Sequence, residues 1–215
     1  IHRTTGQGET QKTTARGQVH RVSDTTEMKP FHQLPCSMYN LSQIQFQVME
    51  WIRAKQPTLL TSDSLWNKVN TPDLIRNTPS LTEWCKTQDL KIREVALTVI
   101  NKPVDADLHI DELPITAKIN IPIQNTRGSF NRWYDIPEQM LHETKPIVNE
   151  FGKNYYSFSG VDYSKLNMIG ELELLGPVVF NSQIAHNIII GEQCVLPRVV
   201  LSCTFFNEPT HYLQQ

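Results

Sequence analysis

Apolar residues recur at three- and four-residue spacing after Asn40: Leu41, Ile44, Val48, Trp51 and Ile52 share one stripe. That spacing predicts an amphipathic helix of about three turns, with Ser42 near its start and Pro57 just past its end. A short helix is predicted over residues 63–69. Another is predicted over 78–85, where Ser80 reads as the cap and Glu83, three residues on, completes a capping box. Beyond residue 90 the pattern turns β-branched, so 92–100 and 117–123 read as strands, with Asn101-Lys102-Pro103 as a turn. The most apolar stretch is 177–206. Its two runs, 178–190 and 195–206, flank Gly191-Glu192-Gln193 and predict a hairpin. In the second strand Arg198, Val200 and Ser202 share a face by the period-two rule.

Residues 1–35 differ in kind. The first thirty are rich in Thr, Gln, Gly and charge and poor in apolar residues, so they cannot bury enough surface to offset their own ordering. An extended polar arm is expected there, either a solvated tail or a segment that docks on a protein partner or another subunit, with one domain over 36–215 and its helices at 40–88. The chain has 215 residues, 39% of them hydrophobic, and a formal charge of −2. Such a charge gives no global attraction for nucleic acid or membrane, and no run of eighteen apolar residues is present. The first residue is Ile rather than Met, which weakens any inference from the lack of a leader. Four cysteines without Cys-x-x-Cys spacing read as free thiols of a reducing compartment, and a cytoplasmic location, or a virion if the source is viral, is expected.

The candidate chemistry comes from two stretches. His109 and Asp111 lie two apart and so on one face of an extended chain, and His186 stands in a distant strand. Two imidazoles and a carboxylate form the facial set that holds iron(II) and leaves positions open. Arg198 follows twelve residues after His186. A guanidinium in so apolar a strand needs an anionic partner, because an unpaired buried charge is costly. A fold-only role, in which Arg198 pairs with Glu171 or Glu173, is the competing possibility.

In this order and spacing the chain resembles the iron(II)- and 2-oxoglutarate-dependent oxygenases, over about residues 80–207. Residues 116–125, then 129–134, and Pro197 to Ser202 look like the corresponding strands of small viral or bacterial, aspartyl/asparaginyl hydroxylase-like members. The resemblance implies an α+β, mainly β fold, a double-stranded β-helix (cupin-like jelly roll) buttressed by the N-terminal helices. It implies Fe(II) on His109, Asp111 and His186, with O2 and 2-oxoglutarate as co-reactants. Arg198 and Ser202 match the positions that bind the far carboxylate of 2-oxoglutarate, and Asn120 and Tyr134 are further candidate contacts. The implied activity is hydroxylation of an unidentified substrate with release of succinate and CO2.

Two other classes stay open. One is a zinc- or manganese-binding cupin-like enzyme or isomerase on the same scaffold, against which the Arg198-to-Ser202 strand argues. The other is a non-catalytic jelly-roll assembly protein of a virus particle, since fold does not fix function. His142 has no carboxylate at ligand spacing and reads as a surface or rim residue. Most of Trp133, Tyr155, Tyr156, Phe158 and Tyr163 read as core.

Overall fold

The computed structural model describes residues 28–214, apart from 63, 104–105, 112–113 and 149–153. Two antiparallel six-stranded sheets face each other, and helices cover the outside of the first. The strands are β1 (Phe31–Gln33), β2 (Trp66–Lys68), β3 (Ile92–Ile100), β4 (His109–Ile110), β5 (Ala117–Gln124), β6 (Ser129–Asp135), β7 (Ile147–Val148), β8 (Asn154–Ser157), β9 (Asn167–Glu173), β10 (Val178–Asn181), β11 (Ala185–Ile190) and β12 (Arg198–Phe205). The helices are α1 (Met38–Lys55), α2 (Thr71–Asn77), α3 (Pro79–Thr87) and α4 (Glu138–Glu143). The first sheet runs β1-β10-β5-β12-β3-β2 and the second β7-β8-β4-β11-β6-β9. This is the double-stranded β-helix.

Helix α1 starts where Ser37 Oγ accepts from the Asn40 amide at 3.1 Å and ends before Pro57. It buries Ile44, Val48, Trp51 and Ile52, the stripe the spacing marks. These pack with Leu74 of α2 and Leu81 of α3 on Leu97, Ile119, Ile121 and Leu201 of the first sheet. Each such aliphatic side chain contributes about 1.5–3 kcal/mol when fully buried. Strand β12 serves two layers at once. Val199, Leu201 and Cys203 enter that helix-side core, while Arg198, Val200 and Ser202 point into the gap between the sheets. The expected face is therefore the inner one.

Several expectations need correction. The runs at 178–190 and 195–206 are not a hairpin. The first breaks after Asn181, so β10 joins the first sheet, β11 the second, and β12 returns to the first between β5 and β3. Apolar runs buried on both sides carry no mark of the sheet they belong to. The crossing after β11 is tight, with the Gly191 amide donating to Gly128 O at 2.9 Å. A Cβ on Gly191 would lie 2.7 Å from that oxygen, so glycine is required.

Where a helix is expected over 63–69, residues 66–68 form β2, and the helix comes later, as α2, with Asn70 Oδ1 accepting from the Asp73 amide. In α3 the cap position is Thr78, without a side-chain cap bond. Ser80 instead donates its amide to Gln47 Oε1, and Glu83 pairs with Lys86, so no capping box forms. Within the segment read as an arm, the residues from Met28 on are described. Residues 31–33 form β1 on β10, Leu34 is buried, and Pro35 O accepts from Trp84 Nε1 at 3.2 Å. Residues 1–27, and the docking role expected of them, lie outside the described residues. Among the described residues no helix is long and apolar enough to cross a membrane, and all four cysteines are free.

Candidate metal centre

The inner faces of β4 and β11 bring His109 and His186 together as a directly opposed cross-strand pair, with ring centroids 4.3 Å apart. Asp111 follows β4 on the same face. The ligating atoms of His109, Asp111 and His186 all lie within 4.8 Å of one another. His109 Nε2 is 3.9 Å from Asp111 Oδ1, and His186 Nε2 is 3.7 Å from Oδ2. These gaps are too long for hydrogen bonds, and the three donor atoms are close enough that they would hold one ion between them.

The backbone fixes the tautomers. His109 Nδ1 sits 2.7 Å from Asp107 O, and His186 Nδ1 sits 2.7 Å from Ile184 O. A carbonyl only accepts, so in the neutral form of each ring Nδ1 carries the proton and Nε2 presents a lone pair to the shared space. His109 Nε2 is buried with no hydrogen-bond partner, an orphan acceptor that a metal satisfies.

Electrostatics prepare the same state. Burial, reinforced by His109 and opposed by Asp111, pushes the His186 imidazolium down to about 3, so the ring is neutral at physiological pH. For Asp111 burial acts to raise the carboxyl, but Lys118, then His186 and His109, outweigh it and hold the group at about 2. Lys118 Nζ lies 3.1 Å from Asp111 Oδ2, and both side chains are nearly buried. Phe180 meets His186 edge-on at 4.5 Å, and Trp66 meets His109 edge-on at 6.4 Å, so apolar walls flank the imidazoles.

At the other end of the cavity Arg198 is 1% exposed. Its Nε donates to Ser129 Oγ at 2.7 Å, and one terminal nitrogen is buried with no partner. Burial lowers the guanidinium to about 10, which leaves it cationic at neutral pH. Neither carboxylate of the fold-only alternative is available to it. Glu171 pairs with Arg132 at 2.6 Å, and Glu173 accepts from the Gly128 amide at 2.6 Å. Among the described residues no carboxylate pairs with Arg198. The two ends are in register: His186 and Ser129 stand on neighbouring strands, Ser129 facing Ile190, four residues or roughly 13 Å along β11.

Ser202 and Asn120 face each other across β12 and β5 and line the cavity, with Asn131 and Thr98 adding polar groups. Tyr134 does not line it. Adjacent strand residues point to opposite faces, so Trp133 takes the inner side against Phe31 and Phe180, and Tyr134 the outer side with Leu108, Phe158 and Ala185. His142 is exposed on α4, 3.5 Å from Glu138, away from the site. The sequence reading missed Lys118, Ser129, Asn131, Trp66 and Phe180. The alternation of Lys118 and Asn120 with Ala117, Ile119 and Ile121 marks one polar face on β5, and that face turns to the cavity rather than to water.

No protein-family model matches the sequence, and no curated protein sequence matches it. Solved structures do. The chain is similar to HygX from Streptomyces hygroscopicus with nickel and 2-oxoglutarate bound, at TM-score 0.50 and 10% identity, covering 82% of this chain and 82% of that one. It also superposes on the epimerase SnoN in complex with Fe3+, alpha ketoglutarate and nogalamycin RO, at TM-score 0.49 and 10% identity, covering 85% of this chain and 83% of that one. At such identity the likeness to HygX establishes the shared fold.

Proposed function

We propose that this chain is an Fe(II)- and 2-oxoglutarate-dependent dioxygenase that hydroxylates an organic substrate. The observation that carries the reading is the pairing, in one cavity, of three convergent metal-type donors with a buried guanidinium that lacks an anion. The donor set suits the metal: neutral imidazoles and one carboxylate bind iron(II) without closing its coordination sphere. A shared fold with HygX, whose structure holds nickel and 2-oxoglutarate, supports the assignment. A narrower kinship with aspartyl/asparaginyl hydroxylase-like members rests on the likeness of residues 116–125, 129–134 and Pro197 to Ser202.

Bound iron(II) supplies the activation of O2, and overall one 2-oxoglutarate, one O2 and one C–H bond become succinate, CO2 and a C–OH group. The residues of this chain do the rest. His109 and His186 hold their Nε2 lone pairs in place through the carbonyls behind them. Arg198 offers a planar fork that matches a carboxylate, oriented by Ser129, with the Ser202 hydroxyl and the Asn120 amide on the adjoining wall. Phe180 and Ile188 keep water from the reacting end. Trp66 also lines an open cleft of about 540 Å³ beside Gln56, Thr58 and Asn67, the side from which we read substrate as approaching.

The test is direct. Iron-loaded protein in air should convert 2-oxoglutarate to succinate, and incubation with cell extract should yield products heavier by one oxygen. Failure of the anaerobic manganese form to bind 2-oxoglutarate in a calorimetric titration would overturn the reading, as would a zinc centre closed by a fourth protein ligand.

A further inference from the structure

Lys118 is a second cation within the same cavity. It sits on the inner face of β5 opposite Phe180 of β10, and its Nζ approaches a single oxygen of Asp111, Oδ2, at 3.1 Å. The other oxygen, Oδ1, faces His109 Nε2 at 3.9 Å. Asp111 is therefore asymmetric before any ion arrives. Each oxygen faces one imidazole, Oδ2 lying 3.7 Å from His186 Nε2, and only Oδ2 is also engaged by an ammonium. A carboxylate with both oxygens free can chelate one ion through both, using two coordination positions; one with an oxygen already held offers a single bond and leaves a position open. The charge count points the same way. Among the described residues lining the cavity, Lys118 and Arg198 are the cations and Asp111 the sole carboxylate, so each further positive charge in the site meets repulsion from a fixed ammonium.

We propose that Lys118 is a positioning residue that restricts Asp111 to one ligating oxygen and biases the centre toward the divalent over the trivalent state of its metal. The inference rests on the metal reading of His109, Asp111 and His186. In the metal-free protein Lys118 serves as the counter-charge of Asp111. With metal bound, its charge stays next to the ligand, where it opposes oxidation of the ion and keeps one more position available to ligands.

Lys118→Met keeps the side-chain volume and removes the charge. Three results are expected. Without metal the variant melts below wild type, because Asp111 has lost its partner. Mn(II) then raises its Tm more than it raises that of wild type. The ratio of Fe(III) to Fe(II) affinity rises at least tenfold, which is a fall of at least 59 mV in the one-electron midpoint potential. Lys118→Arg, which keeps the charge, should stay within a few millivolts of wild type, and Lys118→Gln, which keeps a donor to Oδ2 without charge, provides a second neutral variant should the Met form not fold. A potential that is the same in wild type and in the neutral variants, with only a lowered Tm, overturns the proposal and leaves Lys118 as a fold residue. Absence of Mn(II) binding to wild type by calorimetry is a different failure. It removes the metal reading, and the role of Lys118 goes with it.

Discussion

The two ends of the inter-sheet cavity are prepared in opposite ways. At the imidazole end every charge has a partner: Asp111 holds Lys118, and both histidines donate from Nδ1 to backbone carbonyls. At the other end Arg198 has one neutral partner, Ser129, and a terminal nitrogen with none. The first end is settled before a ligand arrives, and what it gains from a cation is ligation. The second is left with a cost that only an anion removes, because a buried charge without a counter-charge is destabilising. Truncations at the two ends should therefore have opposite consequences for stability.

The largest effect is expected at the paired end. Asp111→Ala removes one of the three proposed ligands, and Mn(II) binding and 2-oxoglutarate turnover should both fall below detection. From the sequence alone, such a change is expected to spare the fold. The Lys118 contact alters that expectation, since the variant strands a nearly buried ammonium. Breaking one side of such a pair costs up to about 3 kcal/mol, to be read from the urea midpoint of the metal-free protein. An unchanged midpoint would mean that Lys118 finds water as easily as it finds Asp111. Full turnover would remove Asp111 from the metal site.

At the unpaired end Arg198→Leu should act on binding without that stability loss. Affinity for 2-oxoglutarate in the anaerobic manganese form should fall by about 2–5 kcal/mol, the range for truncating one partner of a buried charge pair. Replacement by Lys should recover little of it, for want of the planar fork. Metal binding should persist. In the ligand-free protein the midpoint should hold or rise, because an apolar side chain replaces a desolvated cation. A lowered midpoint with unchanged affinity would show that the two ends are alike and that Arg198 serves the fold.

The legible part of this site is what period two controls. The spacing of His109 and Asp111 gave their common face, and the run Arg198, Val200, Ser202 gave theirs, because alternation on a strand is local. The partner sheet of each strand is not local, so β11 and β12, both apolar on two sides, read as a hairpin although they belong to different sheets. The same limit hid Lys118. A lysine alternating with Ala117 and Ile119 marks a polar face, and only the stacking of a second sheet shows that the face is interior. β2 escaped for another reason: three residues, Trp66 to Lys68, are too few to show a period, and the strand exists because β3 presents an edge to pair with.

The smallest expected effect separates a residue found by packing from one expected by resemblance. Ser129 Oγ accepts from Arg198 Nε at 2.7 Å and donates to Thr126 O at 2.7 Å, so its rotor is fixed and the guanidinium plane with it. Ser129→Ala leaves Nε without an acceptor and the fork free to tilt. The loss of 2-oxoglutarate affinity should be about 1 kcal/mol, the net contribution of one typical intramolecular hydrogen bond, because Ser129 acts on the ligand only through the guanidinium. Tyr134 stands on the outer face of β6 and is coupled to Arg132, so Tyr134→Phe should leave that affinity within error while at most slightly lowering the midpoint. Parallel calorimetric titrations of the two variants decide the matter. A larger loss in Tyr134→Phe than in Ser129→Ala would mean that the outer face of the second sheet controls the Arg198 end, and the comparison between the two ends would have to include that face.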